Sequence, residues 1–178
     1  MASIVLNGDT SGSVTLSPPA VAGTNTATLP AATGTVMVSG NMPAFSAYAT
    51  SDLTVSSGTI TKATLDVEEF DTNSNFASSR FTPTVAGYYQ INAGITLVAT
   101  GGMTNQNVYI YKNGSQYKLV YYRATPSDLL ATVSTVVYCN GTTDYIELYG
   151  RIAGSASIYF GSNGTSGTWM NGCLIRAA

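Results

Sequence analysis

Four carboxylates lie close together in the sequence and are the residues whose spacing best suits chemistry. They are Asp66, Glu68, Glu69 and Asp71, in the stretch "LDVEEFD". Two carboxylates held across a cleft can hydrolyse a glycosidic bond, and clustered oxygen ligands suit calcium. The stretch does not follow the twelve-residue calcium-loop pattern. We therefore favour a solvent-exposed strand end and loop, keep calcium binding as an alternative, and consider glycoside hydrolysis the least favoured of the three.

The chain offers few residues suited to other kinds of catalysis. The 178-residue chain contains no histidine, which removes the usual Ser-His-Asp and Cys-His systems and the commonest zinc ligand. The glycine-rich stretch "GSNGTSG" is a weak match to a phosphate loop, because no helical pattern follows it. The sequence predicts no catalytic residue, no cofactor apart from the calcium alternative, and a protein that is not an enzyme.

Two cysteines, Cys139 and Cys173, lie in the apolar runs "VVYCN" and "NGCLI". One pair does not make a disulfide framework, and a free cysteine in an apolar run behaves as a small hydrophobic residue. We expect two buried free thiols, although the sequence does not decide whether they pair. The sequons at Asn113, Asn140 and Asn163 are each Asn-Gly followed by Ser or Thr, which favours turns.

The composition limits the partners of the protein. Charged residues make up 9% of the chain and the net charge is -2, with seven Lys and Arg residues scattered along it. We therefore expect no basic patch and no nucleic-acid partner. No apolar run approaches the roughly 18 residues of a membrane span. The start "MASIVLNGDT" does not resemble a signal peptide, so we expect a soluble cytosolic product or export by another route.

Apolar alternation, broken by turn residues about every ten positions, predicts an all-β sandwich or barrel. In "RFTPTVAGYYQINAGITL" a turn leads into a long strand. Its core face is predicted to carry Tyr89, Ile91, Ala93, Ile95 and Leu97, and its other face Tyr88, Gln90, Asn92, Gly94 and Thr96. The alternating residues of this strand are the scaffold on which any site must be placed.

Three further segments complete the predicted sheets. Asn113-Gly114 marks a type I′ hairpin between Val108 and Tyr122. In "DYIELYGRI" the residues on one face are Ile146, Leu148 and Ile152, and those on the other are Tyr145, Glu147, Tyr149 and Arg151. A last strand is predicted over Thr168 to Ala177.

The first forty residues differ from the rest. The short strand-like pieces "SIVL", "SVTL", "TATL" and "TVMV" alternate with Gly- and Pro-rich stretches, and no aromatic residue precedes Phe45. Such a segment has little to bury alone, so it is either a flexible arm or a thin shaft that orders against copies of itself. We place an arm at residues 1–42 and a head at 43–178, with the boundary near Ser39 to Pro43.

The head resembles the C1q-like family, the globular domains related to tumour necrosis factor. The resemblance runs from about Ala44 to Arg176 and rests on "FTPTVAGYYQI", in which Phe81, Gly87 and Tyr89 match and Ile91 replaces an aromatic residue. The stretch "ATLDVEEFDTNSNF" lies upstream, and "VYIYKNGSQ", "NGTTDYIELYG" and "MNGCLI" lie downstream, all in the family's order, with a loop from Phe76 to Phe81 that is shorter than usual. The resemblance implies a ten-stranded jelly roll that forms a tight homotrimer, and some relatives bind calcium.

The arm carries a second resemblance, because "SPPAVAGTNTATLPAATGTVMV" is similar to segments of phage tail fibres and other appendage proteins. Together the two resemblances imply a trimeric subunit of a fibre, spike or tail fibre in the virion, assembled in the bacterial cytoplasm. The arm would contact other virion proteins, and the head would bind a host-surface glycan or protein. The alternatives are a capsid decoration or head-fibre protein without a receptor role and, less favoured, a virion enzyme that degrades polysaccharide.

Candidate binding surfaces are three loops rich in Gly, Asn, Ser and Thr: Val98–Asn107, Tyr122–Asp128 and Phe160–Trp169. Loops on a rigid β scaffold commonly carry recognition. We assign Trp169 to the core, because it opens the last strand. The pairs Tyr109 and Tyr111, and Tyr145 and Tyr149, either cover their own sheet or are buried between copies. The pattern identifies no individual binding residue.

Overall fold

The computed structural model describes residues 3–28, 31, 33–34, 36–125, 128–154 and 158–178, with the side chains of 124 and 125 left aside. The chain forms two compact units, Met1–Gly34 and Thr35–Ala178. In the first unit, strands β1 (Ile4–Asn7) and β2 (Ser13–Leu16) form an antiparallel hairpin. Every side chain of these two strands is exposed, so the hairpin has no core of its own. The described residues of "TATL" and "TVMV" form no strand.

The second unit is built almost entirely from antiparallel strands in two sheets. A 3-10 turn at Ser39–Asn41 precedes the strands, and another at Gly164–Ser166 precedes the last one. The strands are β3 (Ala44–Tyr48), β4 (Leu53–Thr54), β5 (Thr61–Lys62), β6 (Val67–Asp71), β7 (Phe76–Ala77), β8 (Arg80–Phe81), β9 (Gly87–Ala99), β10 (Met103–Lys112), β11 (Ser115–Thr125), β12 (Leu129–Cys139), β13 (Ile146–Gly154), β14 (Ile158–Gly161) and β15 (Trp169–Ala177).

The two sheets pack face to face. One has the order β11-β10-β13-β8-β7, with β5 also paired to β13. The other has the order β4-β14-β9-β15-β3-β6, with β12 also paired to β9. We call them the β10 sheet and the β9 sheet. This architecture confirms the predicted all-β jelly-roll class. Several segments are only two residues long, so the number of strands depends on how these are counted.

The long strand β9 confirms the alternation predicted for it. Tyr89, Ile91, Ala93, Ile95 and Leu97 are completely buried in the core, while Tyr88 on the other face is 44% exposed. A row of aromatic rings anchors the strand, with Phe45 stacked on Phe81 at 4.2 Å and Tyr89 edge-on to Phe81 at 5.4 Å. The Tyr89 hydroxyl donates to the Val85 carbonyl at 2.7 Å, so its polar end is satisfied inside the core.

The predicted turns are also confirmed. Asn113 and Gly114 have φ angles of 53° and 75°, as a type I′ turn requires between β10 and β11. Asn163 has a φ of 40° beside the second 3-10 turn. The Asn140 side chain accepts bonds from the backbone N–H groups of Thr142 and Thr143 at 3.0 and 2.9 Å. All three Asn-Gly sequences therefore serve as turns.

The expectation of two buried thiols is right for Cys139 and wrong for Cys173. Both cysteines are free, but only Cys139 is buried, and burial raises the pKa of its thiol to about 11. Along β15, Met170 and Leu174 point into the core. Alternation therefore turns Cys173 outward, although its neighbours in the sequence are apolar.

Candidate functional site

The four clustered carboxylates do not converge in the structure. Asp66 accepts bonds from the backbone N–H (2.7 Å) and the hydroxyl of Thr50, which lower the pKa of its carboxyl. Glu69 accepts from the Ser46 hydroxyl at 2.6 Å, and Asp71 from the Phe76 N–H at 2.6 Å. Among the described residues, no three His, Cys, Asp or Glu side chains are placed to hold a metal ion. Each bonded carboxylate thus has a separate local role.

The outer face of the β10 sheet instead gathers polar and aromatic side chains. The face carries alternate residues of β10 and β13, and the register places Tyr109 opposite Tyr149 and Asn107 opposite Arg151. Val108, Ile110, Leu148 and Ile152, between them in the sequence, point into the core. We call this surface the outer β10–β13 face.

Glu147 lies at one end of the outer β10–β13 face and is only 2% exposed. Its Oε1 atom accepts a bond from Lys62 Nζ at 2.7 Å and lies 2.9 Å from Arg80 Nη2. Burial alone would raise the pKa of this carboxyl, but the hydrogen bonds from Lys62 and Arg80 outweigh burial and lower it. The Arg80 guanidinium also lies over the Tyr145 ring, 3.9 Å from its centre.

Three tyrosines form the aromatic part of the face. Tyr111 stacks on Tyr149 with 4.1 Å between ring centres, and Tyr109 meets Tyr111 edge-on at 6.0 Å. Tyr109 is 3% exposed, while Tyr111 and Tyr149 stay partly open. Burial raises the pKa of both Tyr111 and Tyr149. Within a single chain these rings contact their own sheet. The alternative, burial between copies of the chain, stays a prediction.

Two asparagines on β10 continue the face beyond the tyrosines. Asn107 is 7% exposed, and its Nδ2 atom donates to the Tyr109 hydroxyl at 2.6 Å. The Oδ1 atoms of Asn105 and Asn107 are buried and have no hydrogen-bond partner in the part of the chain that the structure describes. A buried amide oxygen without a partner is costly, so such atoms are uncommon unless they have a use.

Positive charge collects on this face, although the sequence scatters it. Lys62 and Arg80 contact Glu147, Arg151 lies beside Asn107, and Arg123 on β11 lies beside Asn105. These are four of the seven cationic residues of the chain. The expectation that no basic patch can form was wrong, because strand pairing brings together residues up to 89 positions apart, from Lys62 to Arg151.

The outer face of the β9 sheet is less charged and more apolar. Tyr88, Leu130, Val136 and Tyr138 are 40–47% exposed there, and the rings of Tyr88 and Tyr138 lie 5.4 Å apart. We call these four residues the apolar β9–β12 patch. Beside it runs a row of polar groups, in which Asn92 Nδ2 donates to Asn171 Oδ1 at 3.1 Å. A pocket of about 240 Å³ next to this row is lined in part by Phe70, Asn92, Asn171 and Cys173.

Two of the three segments predicted as binding loops belong partly or mostly to strands in the structure. Most of Val98–Asn107 belongs to β9 and β10, and β11 extends to Thr125 within Tyr122–Asp128, of which Pro126 and Ser127 lie outside the described residues. Only Phe160–Trp169 is largely a loop. Sequence reasoning missed Asn105 and Asn107 as part of a sheet face because it assigned "TNQN" to a loop. The alternation of "NQNVYIY" is the signal that could have found them.

Trp169 does not belong to the core, contrary to the prediction. It is half-buried, and its register partners are Gly94 on β9 and Tyr48 on β3. Because the next residue, Met170, points into the core, Trp169 lies on the outer face of the β9 sheet. A Cβ atom on Gly94 would lie 2.8 Å from Trp169 Nε1, so the indole lies directly over the backbone of β9.

The sequence matches no protein-family model and no curated protein. Solved structures with the same fold are nevertheless found. The globular domain of zebrafish complement 1qA matches with a TM-score of 0.52 and 14% identity over 76% of this chain and 99% of that one. Its fold is the C1q/TNF-like jelly roll. Murine APRIL has a TM-score of 0.58 at 10% identity, over 75% of this chain and 99% of that one.

A phage protein shares the same C1q/TNF-like fold. The PRD1 vertex protein P5 matches with a TM-score of 0.52 and 17% identity, over 75% of this chain and 97% of that one. At these identities the comparisons establish the fold alone. No helix in the described residues is long and apolar enough to cross a membrane.

Proposed function

We propose that this protein is a non-enzymatic structural subunit of a phage virion appendage, which assembles as a homotrimer and uses its C1q/TNF-like head to adhere to the host surface. The observation that carries the proposal is the fold shared with the PRD1 vertex protein P5. The resemblance of residues 17–38 to appendage segments agrees with the proposal, but it stays a prediction because the comparisons do not show it. In this proposal the arm, whose hairpin exposes Ile4, Leu6 and Val14 by more than half, attaches to other virion proteins or packs against its copies.

The apolar β9–β12 patch is the surface we propose for self-association. Its four side chains are 40–47% exposed on one side of a sheet, and the adjoining Asn92, Ser134 and Asn171 bond to each other. Arg176, the register partner of Tyr88, places one charge at the edge of the patch. Exposed apolar patches mark protein contacts, and low charge leaves little repulsion between copies. Because the two sheets of a sandwich face in opposite directions, association through this patch leaves the outer β10–β13 face free.

A second candidate function is a capsid decoration or head fibre without a receptor role. It is favoured by one observation, which is that P5 is described as a vertex protein rather than a tail protein. Both candidates place the protein in the virion, but at different positions on it.

Immunogold electron microscopy of purified virions tests the location. Antibodies raised against the head are expected to label every virion, at the tail or baseplate if the protein is a tail fibre, and at the capsid vertices if it resembles P5. Preimmune serum on the same grids is the control. Virions without label, from a lysate in which the protein is detected as free material, would overturn the proposal.

A further inference from the structure

We propose that the outer β10–β13 face binds an acidic polysaccharide, that is, a glycan whose units carry carboxylate or phosphate groups. This inference rests on the proposed adhesive function and names the class of ligand. It places recognition on a sheet face, whereas the sequence pointed to the loops. Three independent properties of the face support it: its charge, its unpartnered amide oxygens and its aromatic rings.

The charge of the face is complementary to an anionic ligand. Lys62, Arg80, Arg123 and Arg151 contribute four positive charges, and Glu147 contributes one negative charge. The face therefore carries a net charge of +3 in a chain whose net charge is -2. Arg123 is exposed and Arg151 half-buried, and neither forms an ion pair with a described acidic residue. The Arg123 guanidinium is available for charge-assisted bonds to an anion. Arg151 Nε donates to the Gly58 carbonyl at 2.8 Å, which leaves only its terminal N–H groups for an anion.

The two asparagines provide hydrogen-bond acceptors for a ligand that is rich in hydroxyl groups. The Oδ1 atoms of Asn105 and Asn107 lie two residues apart on one face of β10, and neither has a partner in the described chain. If Oδ1 and Nδ2 of Asn107 were exchanged, the bond to Tyr109 would reverse and a buried polar atom would still lack a partner. A sugar hydroxyl donates to an amide oxygen. Asn107 is 7% exposed and its register partner on β11, Tyr121, is 49% exposed, so binding at Asn107 requires side chains on this face to rearrange.

The partly exposed rings of Tyr111 and Tyr149 complete the face. Their stacked arrangement fixes both rings in place, and an aromatic ring packs well against the apolar side of a sugar ring. A purely electrostatic site for nucleic acid would need only charge and would follow phosphates in a groove. The unpartnered amide oxygens of Asn105 and Asn107 favour a ligand that presents many hydroxyl donors, which is a polysaccharide.

Binding of defined ligands to the full-length protein tests the inference. Isothermal titration calorimetry would use octagalacturonate as the carboxylate ligand and poly(glycerol phosphate) as the phosphate ligand. Maltooctaose serves as the neutral control, and a single-stranded DNA octamer as the control of another class. We expect at least one of the two acidic ligands to bind, maltooctaose not to bind, and affinity to fall as salt rises.

Two matched substitutions locate the binding. Arg123→Gln removes an exposed arginine from the face and is expected to weaken binding about tenfold, the cost of one charge-assisted bond. Arg176→Gln removes an exposed arginine from the β9 sheet and should change affinity less than twofold. Because Arg176 pairs with Tyr88 of the apolar β9–β12 patch, sedimentation equilibrium must show that this variant keeps the mass of the parent protein. Asn107→Leu removes the buried acceptor and should also weaken binding. Circular dichroism and thermal melting of each variant check that the fold is retained.

The possible results separate this inference from the function on which it rests. The inference is overturned if neither acidic ligand binds more tightly than maltooctaose, if Arg123→Gln and Arg176→Gln have equal effects, or if DNA binds as tightly with the same dependence on Arg123. If the protein adsorbs to host cells and Arg123→Gln adsorbs equally well, adhesion stands and this site is wrong. If it binds the acidic ligand but not the cells, the site stands and adhesion is wrong.

Discussion

At the scale of single residues, the stability of the fold depends on whether a few buried polar groups have hydrogen-bond and charge partners. Glu147 is the most buried charged side chain among the described residues, and it is held by two cations that remain partly exposed. A buried carboxylate is stable only when its charge is compensated, and Lys62 and Arg80 provide that compensation from β5 and β8. Glu147 thereby joins two short strands to β13 and anchors the outer β10–β13 face.

Protonation of Glu147 is expected to weaken the fold at low pH. Its pKa is lower in the folded chain than the ordinary value of 4.5, so the folded state favours the charged form. The stabilisation is complete above about pH 4.5 and is lost as pH falls through the lower folded pKa. We expect Glu147→Gln to lower the free energy of unfolding by roughly 1–3 kcal/mol at pH 7, and by progressively less below pH 4.5.

Urea denaturation of Glu147→Gln between pH 3 and pH 7 measures this effect. Glu68→Gln is the matched control, because Glu68 is exposed and forms no hydrogen bond in the described part of the chain. The control should differ from the parent protein by less than about 0.5 kcal/mol at every pH. If Glu147→Gln changed the free energy of unfolding equally at every pH, the stabilisation could not be due to the charge of Glu147.

At the scale of strands and turns, alternation determined most of what the sequence could predict. The core faces of β9 and β13 and the hairpin at Asn113-Gly114 follow directly from residue order, because a strand turns successive side chains to opposite faces. The position of Trp169 and the exposure of Cys173 follow the same rule. Both residues are apolar or lie in apolar runs, and for that reason the sequence predicted them to be buried. The gathering of Lys62, Arg80, Arg123 and Arg151 was not predictable, since it depends on which distant strands pair.

The hairpin turn offers a test at this scale. Gly114 has a φ of +75°, a conformation that costs a residue with a Cβ atom roughly 1 kcal/mol, and an added Cβ would also lie 3.3 Å from the Tyr145 hydroxyl. Gly114→Ala should therefore lower the free energy of unfolding by about 1–2 kcal/mol. Gly40→Ala, at a glycine with open space and no positive φ, is the control for urea denaturation. Equal effects at both glycines would show that the turn is not strained by a side chain.

At the scale of the whole molecule, the two outer faces of the sandwich have different characters. The apolar β9–β12 patch suits contact with another copy, whereas the outer β10–β13 face carries charge and buried amide oxygens without a partner in the described chain. In the two proposals above, assembly uses one side of the sandwich and ligand binding uses the other. Four of the seven cationic residues but only one of the nine acidic residues lie on the outer β10–β13 face, so the sign of the charge differs from that of the chain as a whole.

Assembly through the apolar β9–β12 patch is expected to give a trimer. Sedimentation equilibrium of the purified protein at micromolar concentration should give three times the 18.5 kDa mass of one chain. Val136→Asp places a charge in the patch and should shift the mass towards that of the monomer. Leu119→Asp alters a similarly exposed apolar residue on the other sheet and should leave the trimer intact. A monomeric parent protein, or equal dissociation of both variants, would contradict this assembly.

Adsorption competition measures directly whether the head adheres to the host. Host cells would be incubated with an excess of purified protein before phage is added, and free phage would be counted over time. The parent protein is expected to slow adsorption in a dose-dependent manner, and the correctly folded Arg123→Gln variant is expected to do so less effectively. Labelled protein that does not bind the cells, together with adsorption that stays unchanged at saturating concentrations of folded trimer, would contradict host adhesion by the head.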